Sequence, residues 1–247
     1  MLYNSRGFMV RPMSKRKAPS RGPEKPEERS VRADKILRIL EKEFPGAATA
    51  LHHGNVFQLL VATILSAQCT DERVNMVTPG LFRKYPSPAS FAGAKQEELE
   101  MDIRSTGFFR MKSRNIIACS KALMEEHHGK VPKNIEDLVQ LPGVGRKTAN
   151  VVLGQAYGIA SGVVVDTHVH RLSQRLGFTE HDLPEKIEQD LMQIFTKKDW
   201  IGVGSLLILH GRKTCSAKRP ACDHCPVAAL CPSAEFFLRT SERKRAS

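Results

Sequence analysis

Leu141-Pro142-Gly143-Val144-Gly145-Arg146-Lys147-Thr148-Ala149 lies between two stretches with helical apolar spacing, 135–140 and 146–153. Glycine adopts positive φ without steric cost, so Gly143 and Gly145 are expected to turn the chain sharply and bring bare amides close to a ligand. The next helix begins with unpaired N–H groups at the positive end of its dipole, which together suit a phosphate. Arg146 and Lys147 add positive charge at the same place. A Pro-Gly-x-Gly turn by itself is equally an ordinary corner between helices, so the phosphate reading depends on these two residues and on the segment around Asp166.

Helical periodicity extends outward in both directions. From Ser30, Ala33, Leu37, Leu40 and Phe44 recur at helix spacing until Pro45-Gly46. A second helix starts near Asn55, and its stripe of Phe57, Leu60, Val61, Ile64 and Leu65 ends at the polar run Ser66-Ala67-Gln68-Cys69-Thr70-Asp71, a loop suited to the edge of a cleft. Amphipathic segments are predicted around 73–84, 88–104, 110–126 and 134–140, separated by Pro86 with Pro88, Gly107 and His128-Gly129. The one β-like run, Val163–Val165, is too short to found a sheet, so the fold class is all-α. Residues 1–29 are rich in Arg, Lys, Pro and Ser and read as a disordered basic arm, either a solvated tail or a targeting segment. Residues 234–247 read as a basic tail.

The charge balance, 38 Lys and Arg against 26 Asp and Glu for a net +12, points to a polyanionic partner. No apolar run approaches the ~18 residues that a spanning helix needs, so no membrane role is expected. The chain has length enough for a core without disulfides and opens on no secretory signal, so its six cysteines suggest a reducing compartment.

Residues 141–150, with Val165-Asp166-Thr167-His168 about twenty residues later, resemble the helix-hairpin-helix and Gly/Pro-rich loop with Asp that mark the DNA glycosylase superfamily, and the endonuclease III branch most closely. The likeness spans about 31–233. It implies a bifunctional DNA glycosylase and abasic-site lyase of base excision repair that removes oxidised pyrimidines from double-stranded DNA. It implies two helical lobes: a six-helix barrel over 50–160, and a second lobe from 30–49 with 161–233, with the active site between them. A monomer is expected, in the cytoplasm beside a bacterial nucleoid, or in the nucleus or mitochondrion of a eukaryote.

The resemblance makes Lys147 the nucleophile. Its amine would attack the deoxyribose anomeric carbon, expel the base and leave a Schiff base that β-elimination resolves. That requires the free amine, which the positive end of the helix dipole favours over the ammonium. Asp166 reads as the N-cap of a helix carrying Val169, Leu172 and Leu176, and the resemblance adds a catalytic role in stabilising the sugar cation and taking protons. A carboxylate in direct contact would oppose release of the Lys147 proton, so contact in the resting enzyme is not implied. The target nucleotide must leave the duplex. By resemblance Gln68 fills the gap and Phe108 acts as a second wedge, with Asp71 and His168 near the pocket; Asp71 equally suits a helix cap.

Cys215, Cys222, Cys225 and Cys231 form C-x6-C-x2-C-x5-C. Four thiolates suit zinc or an iron-sulfur cubane, and two disulfides are a third arrangement. The spacing resembles the 4Fe-4S loop of endonuclease III, which implies that cofactor and a loop presenting Lys218 and Arg219 to DNA phosphates. Gly143, Val144, Gly145 and Arg146 complete the expected DNA contacts. Cys69 and Cys119 are expected to be buried free thiols. Two other functions remain open: a monofunctional adenine- or mismatch-specific glycosylase, and a non-catalytic helix-hairpin-helix DNA-binding protein.

Overall fold

A computed structural model describes residues 24–245, with side chains through Thr240. Among these residues the secondary structure is entirely helical: α1 (Pro26–Glu43), α2 (Val56–Leu65), α3 (Asp71–Lys84), α4 (Pro88–Ala92), α5 (Gln96–Ile103), α6 (Phe109–Glu126), α7 (Ile135–Leu138), α8 (Arg146–Tyr157), α9 (Thr167–Arg175), α10 (Pro184–Ile194), α11 (Trp200–Lys213) and α12 (Ala234–Arg245). None is long and apolar enough to cross a membrane. Val163–Val165 forms a connector without regular secondary structure.

Local chemistry sets the boundaries. Asn55 caps α2 by accepting from the Gln58 amide at 2.9 Å, and Thr70, rather than Asp71, caps α3 through the Arg73 amide. The segment read as one helix over 88–104 is two: Ser87 and Ser90 close a capping box on α4, Gly93 ends it, and α5 restarts at Gln96. Two readings of the ends are corrected. α1 begins at Pro26, inside the supposed arm, because proline suits a first helical turn that Glu27 and Glu28 complement electrostatically, and Glu24 grips the Arg32 guanidinium through two bonds of 2.8 Å. The remainder of that arm, 1–23, lies outside the described residues. The supposed tail from 234 is α12, held where the Arg175 guanidinium lies 4.5 Å from the Phe237 ring centroid.

The buried apolar residues fall into two clusters. One runs from Leu51 to Leu153 and includes the α2 stripe, Phe91, Leu99, Ile116 and Leu123. The other combines Ala33, Ile36, Leu37 and Leu40 of α1 with residues from Val163 to Val227. Each fully buried Leu or Ile contributes roughly 2 kcal/mol relative to exposure.

Polar bridges join the two cores. Gln155 of α8 accepts from the Thr49 amide, Arg212 of α11 pairs with Asp71 of α3 at 2.8 Å, and Glu188 of α10 reaches α8. The buried Glu188 carboxylate accepts from Arg146 Nε at 2.6 Å and Asn150 Nδ2 at 2.8 Å, while Asn150 accepts from Ser161. A Cβ at Gly162 would sit 1.9 Å from this carboxylate, so only glycine fits there.

Candidate active site and DNA interface

The hairpin between α7 and α8 is tied to α6 by one close approach. Gly143 has φ +80°, and a Cβ there would lie 2.7 Å from the Asn115 Cβ, so conformation and space both demand glycine. Gly145 differs from the sequence reading: its φ is −89°, within ordinary territory, and nothing lies within 4 Å of where a Cβ would be. It is the N-cap of α8, and no side chain caps that helix. Val144 was expected to contact DNA, but its side chain is buried in the first core and its amide donates to Leu141 O at 3.0 Å; it anchors the turn. Arg146, also expected on DNA, keeps its Nε on Glu188 with about half of the side chain exposed.

Lys147 stands in the first turn of α8, exposed. Asp166 caps α9, and its Oδ1 accepts from the amides of His168 and Val169 at 2.8 Å each. The carboxylate is therefore held by backbone amides of α9 and makes no ion pair with Lys147.

His168 lies beside Asp166, and Arg171 Nη2 is 3.2 Å from its Nδ1. Burial pushes its imidazole below the usual range; Asp166 opposes this, while Arg171 and Arg212 reinforce it. Because Arg212 also pairs with Asp71, the structure gathers Asp71, Arg212, His168 and Asp166 where α3, α9 and α11 meet. Arg212 was missed at the sequence level, where nothing separates it from other basic residues near a helix end.

Gln68 and Phe108 share an unusual feature. They and His128 are the non-glycine residues with positive φ among those described, at 54°, 48° and 52°. His128 simply ends α6 beside Gly129. Gln68 and Phe108 sit on loops, both side chains exposed, and Phe108 shows 57% of its surface while Phe109 packs on the core. Left-handed backbone at bulky residues costs of order 1 kcal/mol each and persists only where surroundings impose it.

Cys215, Cys222, Cys225 and Cys231 line one cavity of about 400 Å³, including its open part, together with Arg175, His210 and Phe237. Burial, reinforced by the other three sulfurs, pushes the Cys222 thiol up to about 12, and burial likewise raises Cys225 and Cys231. Thiols so placed ionise readily only with a bound group that takes up their charge. Arg175 Nη1 lies 3.2 Å from Cys215 Sγ, and His210 Nε2 lies 3.6 Å from Cys225 Sγ. The donor set thus fits a polythiolate cofactor. Arg171 and Arg175 also donate to the carbonyls of Cys215, Ser216 and Ala217, fixing the base of the loop on which Lys218 and Arg219 stand exposed. Cys119 is buried as expected, its thiol pushed up to about 12, whereas Cys69 is only half-buried.

Comparison with known proteins agrees with this arrangement. The family model described as HhH-GPD superfamily base excision DNA repair protein matches residues 61–197. Endonuclease III of Synechocystis sp. is 53% identical over 204 residues, 83% of this chain and 93% of that protein. Endonuclease III of Bacillus subtilis is 47% identical, covering 76% and 86% respectively. A solved trapped endonuclease III–DNA covalent intermediate is 43% identical with a TM-score of 0.81, covering 85% of this chain and 98% of that one. The hairpin, the Asp-capped helix and relatives alike along nearly their whole length assign the chain to the endonuclease III family of the HhH-GPD superfamily of base excision DNA repair proteins.

Proposed function

We infer that this protein is a bifunctional DNA glycosylase and abasic-site lyase that removes oxidised pyrimidines in base excision repair. The observation that carries the reading is Lys147, an exposed amine in the uncapped first turn of α8, in a chain similar to one solved as a trapped covalent intermediate with DNA.

The chemistry derives from these groups. The Lys147 nitrogen lone pair forms a bond to C1′ while the C1′–base bond breaks, its electrons leaving with the base. While the C1′–base bond breaks, positive charge develops on the sugar and then settles on the attached nitrogen; the Asp166 carboxylate offsets it and accepts the proton released by the amine. Passing that proton from Asp166 to O4′ opens the sugar ring and leaves an iminium; loss of a C2′ proton to solvent and departure of the 3′ phosphate oxygen cut the strand. Open amides at Gly145 and the start of α8 favour a DNA phosphate, and Arg146 adds its remaining guanidinium nitrogens. Gln68 and Phe108 fill the space left by the extruded nucleotide, and Asp71 and His168 border the pocket that receives it.

Cys215, Cys222, Cys225 and Cys231 would hold a 4Fe-4S cluster, whose contribution when bound is to cross-link this part of the second core. Lys218 and Arg219 then meet DNA phosphates from a fixed loop. The substrate is duplex DNA with damaged bases or abasic sites, bound by a monomer; bacterial relatives support a place with the chromosome in the cytoplasm.

Borohydride trapping on abasic DNA tests the reading. The wild type forms a covalent adduct, Lys147→Gln forms none while still binding, and Asp166→Asn forms it far more slowly. A monofunctional glycosylase or a non-catalytic binding protein gives no adduct from any form.

A further inference from the structure

Lys112 on α6 is 1% exposed, the one lysine so buried among the described residues, and neither the lyase chemistry nor the hairpin uses it. Its ammonium donates to Leu65 O at 2.8 Å and to Thr106 O at 2.7 Å. Leu65 ends α2, shortly before Gln68; Thr106 stands shortly before Phe108. The Lys112 amide adds a bond to Phe108 O at 3.0 Å. One residue therefore grips the roots of both loops that carry left-handed, exposed side chains, loops far apart in the chain.

We propose that Lys112 is a positioning residue that locks the Gln68 and Phe108 loops into one rigid, two-pronged wedge, so that both side chains enter the duplex together. The proposal rests on the reading that these two residues fill the gap. Burying an ammonium is costly unless its hydrogen bonds are made. A Leu or Met at this place would satisfy the core but leave two carbonyls without a donor and the loops free to relax. Positive φ at Gln68 and Phe108 is strain that needs such a restraint. Loops held in advance lose little freedom on entering DNA, so the binding energy goes to unstacking rather than to ordering the protein.

The test uses a duplex containing a tetrahydrofuran abasic analogue with 2-aminopurine opposite it, whose fluorescence rises when it is unstacked; no chemistry is required. The wild type is expected to raise the fluorescence on binding. Lys112→Met should reduce the unstacked fraction at saturating protein at least tenfold, and Lys112→Gln, able to serve one carbonyl, should fall between. In a Gln68→Ala/Phe108→Ala background, adding Lys112→Met should change the signal less than twofold. Borohydride trapping on single-stranded abasic DNA, which needs no gap filling, reports whether the Lys112 variants are folded and should stay within twofold of wild type for Lys112→Met and Lys112→Gln.

Wild-type unstacking by Lys112→Met overturns the proposal, as does an equal loss on single strand and duplex, which marks a scaffold role alone. An effect that persists undiminished in the double-alanine background also overturns it. Failure of the glycosylase reading is separate: it appears as absent trapping by the wild type, whatever the fluorescence does.

Discussion

Two glycines separated by one residue should respond to the same substitution in opposite ways. Gly143→Ala places a Cβ at φ +80° and 2.7 Å from the Asn115 Cβ, with Asn115 Cγ and Nδ2 both at 3.0 Å. The left-handed backbone costs an L residue about 1–2 kcal/mol. Crowding against a helix backbone-proximal atom, which no rotamer change can move, adds about 1–3 kcal/mol. The sum, about 2–5 kcal/mol, is a large part of the ~5–15 kcal/mol that holds a domain together. Gly145→Ala meets neither penalty, because φ is −89° and the space is open. Its stability cost should stay near or below about 1 kcal/mol. Under the proposed phosphate contact its Cβ would crowd the bound phosphate, so affinity for a tetrahydrofuran duplex should drop by about tenfold, ~1.4 kcal/mol. Urea unfolding of both variants, with the slope against denaturant unchanged, measures the first effect; equilibrium binding measures the second. Equal destabilisation by the two substitutions, or Gly145→Ala binding as tightly as wild type, would refute the assignment of one glycine to packing and the other to the DNA face.

Three other outcomes are expected from the same geometry. Replacing Lys218 and Arg219 with Ala should lower the slope of log affinity against log salt by up to ~1.8 while the absorbance of the proposed cluster stays intact, and an unchanged slope contradicts the proposed phosphate contacts. Glu188→Ala strands the buried Asn150 amide and releases Arg146, whose half-exposed side chain solvent partly compensates, so about 2–3 kcal/mol of stability should be lost in urea unfolding; less than ~0.5 kcal/mol would show the bridge to be dispensable. Burial, the largest influence, holds His168 below its ordinary 6.5. Below ~6.5 the unfolded chain therefore takes up a proton that the folded protein resists, and stability rises with pH up to that point and is lost as pH falls beneath it. His168→Gln should flatten that slope between pH 5 and 7, and an unaltered slope would assign it to other groups.

Local patterns made part of the structure legible in the sequence. The 3.6-residue apolar spacing in 57–65 and the Asn55 cap marked α2, and Asp166 before Val169 and Leu172 marked the start of α9. The cysteine spacing announced one shared cavity. Contacts between distant segments left no such trace. Glu188 carries no mark in the sequence that sets it apart from other acids, and nothing nearby in sequence shows that it would be buried against Gly162 and Asn150. Lys112 and Arg212 were equally hidden among many basic residues, because their partners lie across the fold. α12 escaped notice because its apolar residues Phe236, Phe237 and Leu238 are adjacent rather than helically spaced, and Arg175 supplies the surface on which Phe237 packs.

The most direct test is to identify the amino acid that becomes joined to DNA. Purified protein is mixed with abasic duplex, reduced with borohydride, digested with protease and nuclease, and the modified peptide is sequenced by mass spectrometry. The reduced sugar should be found on the side-chain nitrogen of Lys147 and on no other residue. Finding it on a different lysine or on the amino terminus, with Lys147 unmodified, would contradict the account.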